Sequence, residues 1–204
     1  MRFKNFYLRE NDDSFSLKTL DSLVSISKKV KYAKENLKKM GEGSSRIVFD
    51  YDDKSVLKLA KNSKGIAQND SDGDYGKHRM YPEVIPEIFD KDDDGNWILV
   101  RKANKITTSR FKQLTNIDFK TFCGIVRELE MRHNNKIKKL SQEAQDHIDN
   151  EDSIIYSIYD LMGNYNMLSG DICKINSWGE INNKAVLIDS GLTDDVYKTH
   201  YRKK

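Results

Sequence analysis

The amino-acid sequence predicts an α+β fold, in which an N-terminal helix precedes an antiparallel sheet with one inserted helix and a mostly helical second half. This prediction depends on a change of hydrophobic period. Apolar residues recur at helical spacing before Gly41 and again from about residue 115. Between these points, short runs of β-branched and other apolar residues alternate with turns, as in antiparallel strands. The 204 residues suffice for one domain with two lobes.

The first part of the chain is predicted to be helical. Residues 14–40 place Leu17, Leu20 and Val24 near one face, with lysines over much of the rest, so we assign residues 1–40 to an N-terminal helical extension. A sheet lobe follows over residues 41–103, with one polar helix near residues 64–79. Its predicted strands are 46–51, 55–60, 85–89 and 96–102.

The second half, residues 104–204, is predicted to be a short helical lobe. Helices are expected over 117–132 and 153–167, and short strands near 174–176 and 185–188. The polar stretch 133–150 stays open as a helix extension, an insert or a surface for another subunit.

Composition excludes several classes of protein. The 35 Lys and Arg nearly balance the 32 Asp and Glu, which argues against a protein built only to coat nucleic acid. No apolar run approaches the roughly 18 residues of a membrane helix, and no secretory signal is evident. The two cysteines, Cys123 and Cys173, form neither a disulfide framework nor a zinc motif. We therefore expect a cytoplasmic protein that binds neither membranes nor nucleic acid.

A glycine turn and a lysine are the first candidate functional residues. Gly41 and Gly43 stand at the entrance to a predicted strand and are followed by Ser44 and Ser45. Such a turn lets the backbone approach a phosphate and offers N–H groups to it. Lys58 lies in the next strand between apolar neighbours. Together they favour a phosphate site, although a ligand-free turn and an outward-facing lysine remain open.

The second candidate motif is more specific. Asp171 and Asn176 stand five positions apart after a predicted helix, and Asp189 follows a predicted apolar strand. With Lys58 and the glycine turn before them, these residues give the chain a pattern that resembles the protein-kinase-like phosphotransferases, including their antibiotic and small-molecule relatives. The resemblance spans residues 41–191.

The resemblance implies roles for these residues. Lys58 and Asp171 would be catalytic: Lys58 would hold the α- and β-phosphates of ATP, and Asp171 would act as the base. Asn176 and Asp189 would bind Mg²⁺ through hard oxygen ligands.

The same resemblance implies a nucleotide site in the sheet lobe. The turn of Gly41, Gly43, Ser44 and Ser45 would be the glycine-rich loop over the phosphates. Val100–Ala103 would be the hinge that offers backbone hydrogen bonds to adenine.

The sequence departs from the family pattern at three points. Ser190 replaces the usual phenylalanine after the metal-binding aspartate, and Ser169 replaces the histidine that supports the catalytic loop. The 64–79 segment holds no glutamate to pair with Lys58. The candidate partners for Lys58 in this segment are Asp70, Asp72 and Asp74. We choose Asp72 because it is central among them. All three aspartates as solvated surface charges remain the alternative.

Thirteen residues follow Gly191, so we expect a truncated kinase-like fold without the usual protein-substrate platform. The segments 188–193 and 196–201 resemble the ends of kinase-like proteins in bacteriophage genomes, which would place the protein in the host cytoplasm.

The leading expectation is an ATP- and Mg²⁺-dependent phosphotransferase that acts on a hydroxyl of a host protein, of its own chain or of a small molecule. The alternative is an inactive kinase-like module that binds a protein partner. A minor alternative is nucleic-acid binding through the N-terminal helix and the lysines of 136–139.

Overall fold

The computed structural model describes residues 15–201, and the predicted start of the first helix at Ser14 lies outside them. In chain order, the helices of this part are α1 (Leu17–Ser22), α2 (Ile26–Asn36), α3 (Ser63–Asp72), α4 (Tyr75–Met80), α5 (Thr108–Thr115), α6 (Phe119–His133), α7 (Gln142–Ile148), α8 (Ile154–Tyr165), α9 (Ser169–Ile172) and α10 (Asp194–His200). The strands are β1 (Lys38–Glu42), β2 (Arg46–Asp50), β3 (Ser55–Ala60), β4 (Ile88–Lys91), β5 (Trp97–Arg101), β6 (Asn104–Lys105), β7 (Trp178–Ile181) and β8 (Lys184–Leu187).

The strands form two antiparallel sheets. The first has five strands in the order β1-β2-β3-β5-β4, and the second has three in the order β6-β7-β8. Helices α5 to α8 surround the second sheet and share its core, whose centre is Phe111, Phe122 and Trp178. A sheet lobe is thus followed by a mainly helical one, and the predicted α+β class is confirmed.

The central strand β3 determines where Lys58 points. Every residue of β3 is buried, and Lys58 stands opposite Val48 of β2 and Ile98 of β5. Side chains alternate between the two faces of a strand. Leu57 and Leu59 therefore pack in the core beneath α1 and α2, and Lys58 projects from the other face of the sheet, towards the second lobe.

The predicted helix over residues 14–40 is wrong: the described part of this stretch forms two helices and a strand. Extended backbone at Leu23 and Ser25 separates α1 from α2, and the Ser25 hydroxyl accepts a hydrogen bond from Lys28 N to begin α2. Residues 38–42 pair with β2 instead of extending the helix. Pairing with a strand outweighs their weak local helical pattern.

The predicted helix over 64–79 is also two helices. Gly73 ends α3, and the Asp74 side chain accepts from Gly76 N at the start of α4. The break turns the chain and leaves Asp72 as the last residue of α3.

The strand predicted near residues 174–176 is wrong. Ile175–Ser177 is a single 3₁₀ turn, and the strand begins at Trp178. It continues through a two-residue hairpin at Asn182 and Asn183, both with φ near +50° to +60°. Asparagine tolerates this left-handed conformation, and such turns favour antiparallel hairpins.

Three further helices, α5, α9 and α10, were not expected, and the polar stretch 133–150 contains α7. Ala144 of α7 is fully buried in the core of the helical lobe. No helix between residues 15 and 201 combines the length and hydropathy of a membrane span.

Candidate functional site

Lys58 forms a buried ion pair with Asp72. The Lys58 ammonium lies 2.8 Å from Asp72 Oδ2 and also donates to the carbonyl of Ile188 at 2.6 Å. Of the three candidate aspartates, Asp72 is therefore the partner; Asp70 is exposed and Asp74 caps α4.

An aspartate can reach Lys58 because α3 packs closely on the sheet. A side chain at Gly65 of α3 would bring its Cβ within 2.2 Å of the Ser45 carbonyl oxygen and 3.0 Å of Ala60 Cα. Glycine removes that clash, so the helix approaches β3 closely and the shorter carboxylate spans the distance.

Asp72 also holds the turn that follows β8. Its Oδ1 accepts hydrogen bonds from the backbone N–H of Ser190 at 2.9 Å and from the Ser190 hydroxyl at 2.6 Å. Lys77 of α4, itself 1% exposed, donates to the Ser190 carbonyl at 3.2 Å. The serine that departs from the family pattern thus ties Asp189 and its neighbours to α3.

Arg46, which was not among the predicted site residues, joins the same group. Its guanidinium donates to Asp72 Oδ2 at 2.5 Å and to Asp189 Oδ1 at 2.5 Å. We refer to Arg46, Lys58, Asp72 and Asp189 as the charge cluster. The sequence signal that could have identified Arg46 is a cation at the start of a strand otherwise fit for burial, directly after the glycine turn.

The charge cluster is balanced, with two cations against two carboxylates. Burial disfavours the charged form of Asp72. The attraction of the Lys58 and Arg46 charges exceeds this penalty and holds the pKa of Asp72 far below its usual range. Burial likewise opposes the charge on Arg46, and the carboxylates of Asp72 and Asp189 raise its pKa above the usual value. Asp72 and Arg46 are therefore both charged at neutral pH.

Asp171 lies in α9 and is 8% exposed. Its Oδ1 accepts a hydrogen bond from Lys174 at 2.6 Å. This bond raises the pKa of Lys174, with smaller contributions from the charges of Asp171 and Asp189. Lys174, a second residue that sequence reasoning missed, thus lies within the field of both carboxylates. Asn176 is exposed in the 3₁₀ turn.

The segment 169–176, called here the 169–176 loop, is anchored to the core at two points. Ser169 donates from its backbone N–H and its hydroxyl to the two carboxylate oxygens of Glu130 on α6, at 2.9 and 2.7 Å. The Trp178 indole donates to the carbonyl of Ile172 at 2.7 Å. Trp178, itself 1% exposed, thus packs against this loop. The hydrogen bonds between Ser169 and Glu130 therefore hold the loop in place, although the histidine of the family pattern is absent.

The glycine turn is open on its outer side. A Cβ at Gly41 would meet no atom within 4 Å, and one at Gly43 would meet only the Arg46 carbonyl oxygen at 3.9 Å. Packing therefore does not explain these glycines. Ser44 lies exposed beside the turn, whereas the Ser45 hydroxyl is buried and donates to Gln68 Oε1 at 2.5 Å. Ser45 thus points inward rather than toward a ligand at the turn.

A narrow cleft runs between the lobes beside the charge cluster. It is lined by Lys58, Asp72 and Ser190 on its polar side and by an apolar set on the other: Ile85, Pro86, Ile88, Val100, Leu187 and Ile188. Of the predicted hinge residues, Val100 lines this cleft. Ala103 lies farther along the chain, beside Gly179 of β7.

Between residues 15 and 201, no cluster of three or more His, Cys, Asp or Glu side chains is arranged to hold a metal ion. Asp189, whose side chain is 41% exposed, and Asn176, exposed in the 3₁₀ turn, are the oxygen-bearing residues that the sequence had proposed for this role.

No family model and no curated protein matches the sequence. Among solved structures, the chain is similar to the streptomycin–ATP–APH(2'')-IIa ternary complex, with 14% identity over 83% of this chain and 71% of that one and a TM-score of 0.37. It is also similar to ADP-bound aminoglycoside phosphotransferase APH(2'')-Ib, with 15% identity over 81% and 69% of the two chains and a TM-score of 0.38. At these values we base the site on the geometry of this chain alone.

Proposed function

We propose that this chain is an ATP- and Mg²⁺-dependent phosphotransferase of the protein-kinase-like type. The observation that carries the proposal is the convergence of Lys58, Asp72 and the 188–190 turn, which are separated by up to 130 positions yet share direct hydrogen bonds. The cleft measures only about 10 Å³ in this structure, so a nucleotide requires the lobes to part. In the open cleft, the Lys58 ammonium would meet phosphate oxygens while the apolar wall would meet the base.

The oxygen-bearing side chains of Asp189 and Asn176 suit Mg²⁺. This ion is usually held by one or two protein oxygen ligands together with substrate phosphates, so no all-protein cage is needed. Asp189 and Asn176 would hold it, and the ion would neutralise charge on the phosphates. For this to happen, Arg46 must share or release Asp189, to which it donates in the present arrangement.

Asp171 would act on the acceptor hydroxyl. The acceptor oxygen bonds to the γ-phosphorus as the bond to the β–γ bridging oxygen breaks, and Asp171 takes the hydroxyl proton. Lys174, which donates to Asp171, would stabilise the charge on the transferred group once the acceptor hydroxyl takes its place. The acceptor is a hydroxyl of a protein or of a small molecule.

The proposal is tested by isothermal titration with a non-hydrolysable ATP analogue, with and without Mg²⁺. We expect one-to-one binding that depends on the metal and weakens at least about tenfold in Lys58→Ala and in Asp189→Ala. Lys54→Ala is the matched control, because Lys54 lies exposed in the turn before β3 and should bind like the wild type. Absence of binding at millimolar analogue would refute the nucleotide site.

A second function is favoured by one contact, the ion pair of Arg46 with Asp189. If Arg46 permanently replaces the metal, the chain is an inactive module that binds a protein partner. Mn²⁺ binding by electron paramagnetic resonance, in the presence of the ATP analogue, separates the two. If the chain is an enzyme, the wild type should bind Mn²⁺. If it is an inactive module, Mn²⁺ should bind only to the Arg46→Gln variant.

A further inference from the structure

The fold brings the two cysteines of the chain together, although they stand fifty positions apart. Cys123 lies in the buried face of α6, and Cys173 follows α9. The Cys123 thiol donates to the Cys173 carbonyl at 3.8 Å, and the Cys173 thiol donates to the Cys123 carbonyl at 3.7 Å. Such reciprocal contacts place the two side chains side by side, so that rotation of the thiols would bring the sulfurs within bonding reach.

The contact between the two cysteines joins the 169–176 loop to the helix that supports it. Cys173 stands between Asp171 and Asn176 in the 169–176 loop, and α6 is the helix that already anchors this loop through Glu130. Cys173 is half-buried, so a small oxidant can reach it, whereas Cys123 is only 6% exposed.

We propose that Cys123 and Cys173 form a reversible intramolecular disulfide that ties the 169–176 loop covalently to α6. The oxidant is a hydroperoxide or a low-molecular-weight disulfide. With hydrogen peroxide, the two thiols give up two protons and two electrons, one S–S bond forms, the O–O bond breaks and two waters leave. A dithiol reductant reverses the reaction.

The surroundings favour thiol chemistry at this contact. The neighbouring Cys173 side chain lowers the pKa of the Cys123 thiol, and the reacting form of a cysteine is its thiolate. The Cys123 side chain, followed by burial, raises the pKa of Cys173. The formation of the bond does not depend on the proposed phosphotransferase activity.

The experiment treats the folded full-length chain with hydrogen peroxide and then alkylates free thiols under denaturing conditions. Intact mass should show the loss of two hydrogens and no alkylation, and dithiothreitol should restore two alkylation sites. The chain has two cysteines. A monomer that has lost two hydrogens and resists alkylation can therefore contain only the Cys123–Cys173 disulfide. The oxidised protein should also melt at a higher temperature, since the bond closes a long loop.

The decisive comparison is between folded and urea-unfolded protein. If the fold positions the thiols, the bond should form at least about tenfold faster in the folded chain. Equal or slower formation there, alkylation of both thiols after oxidation, or disulfide-linked dimers only would each overturn the proposal.

Cys123→Ser and Cys173→Ser serve as controls, because each should keep one thiol open to alkylation and show no rise in melting temperature. The comparison of folded and unfolded wild type stands even if a variant fails to fold.

Discussion

Single residues determine the charge balance beside the cleft, and Arg46 links its two carboxylates. It contacts both carboxylates of the charge cluster, and its side chain is 9% exposed. A buried charge that loses its partner costs much more than a solvated one. Arg46 therefore holds the cluster together as well as competing for Asp189.

We predict that Arg46→Gln destabilises the folded protein by about 3 kcal/mol, because Asp72 and Asp189 lose a buried cation. The free energy of unfolding, measured by urea titration, checks this value. Lys184→Gln is the matched control, since its ion pair with Glu83 is more than half exposed and should contribute less than about 1 kcal/mol. Equal losses in the two variants would contradict a buried ionic role for Arg46.

At the scale of elements, α6 is the support of the 169–176 loop. It presents Glu130 to Ser169 and Cys123 to Cys173, while Trp178 from β7 holds the loop from the other side. Glu128 of α6 makes the same pair of contacts as Glu130 but with another serine. It accepts hydrogen bonds from the backbone N–H and the hydroxyl of Ser141, at the start of α7. Only Glu130 acts on the loop that carries Asp171.

We predict that Glu130→Gln loosens this loop, because an amide offers one acceptor oxygen where the carboxylate offers two. Amide hydrogen exchange over residues 168–177 should speed up by about tenfold, which corresponds to the loss of one charge-assisted hydrogen bond. Glu128→Gln should leave exchange in that segment unchanged and raise it near Ser141 instead. Faster exchange over 168–177 in both variants would show a general loss of stability rather than a local support.

At the scale of the whole molecule, the two lobes are joined through buried charges. Lys58 and Arg46 of the sheet lobe contact Asp189 and the carbonyl of Ile188 in the segment after β8, with Asp72 between them. The stability of the interface between the lobes therefore depends on the ionisation of Asp72.

This dependence gives a prediction for stability against pH. The pKa of Asp72 is lowered in the folded state, so its contribution is complete above the unfolded value of about 3.9 and is lost as the pH falls below that. The free energy of unfolding of the wild type should thus decrease more steeply between about pH 5 and about pH 2 than that of Asp72→Asn.

Urea titrations across this range test the slope. The gap in free energy between the wild type and Asp72→Asn should narrow toward acid pH. Asp53→Asn, at an exposed turn, should keep a constant difference from the wild type. A constant gap for Asp72→Asn as well would contradict the proposed linkage.

Much of the order of elements could be predicted from the sequence, because hydrophobic period is a local property. The strands near residues 46–51 and 55–60 and the helices near 117–132 and 153–167 are present with small changes of bounds. The errors fall where tertiary contacts outweigh local preference, as in residues 38–42, which pair with β2. The predicted roles of Asp171, Asn176 and Asp189 remain proposals.

The sequence by itself determined the α+β class and pointed to Lys58, because both depend on patterns among near neighbours. Only the tertiary structure decided which aspartate pairs with Lys58, that Arg46 joins them and that Cys123 meets Cys173. These contacts join residues 14 to 143 positions apart. They depend on how closely helices and strands dock, which small side chains such as Gly65 permit and which no local pattern records.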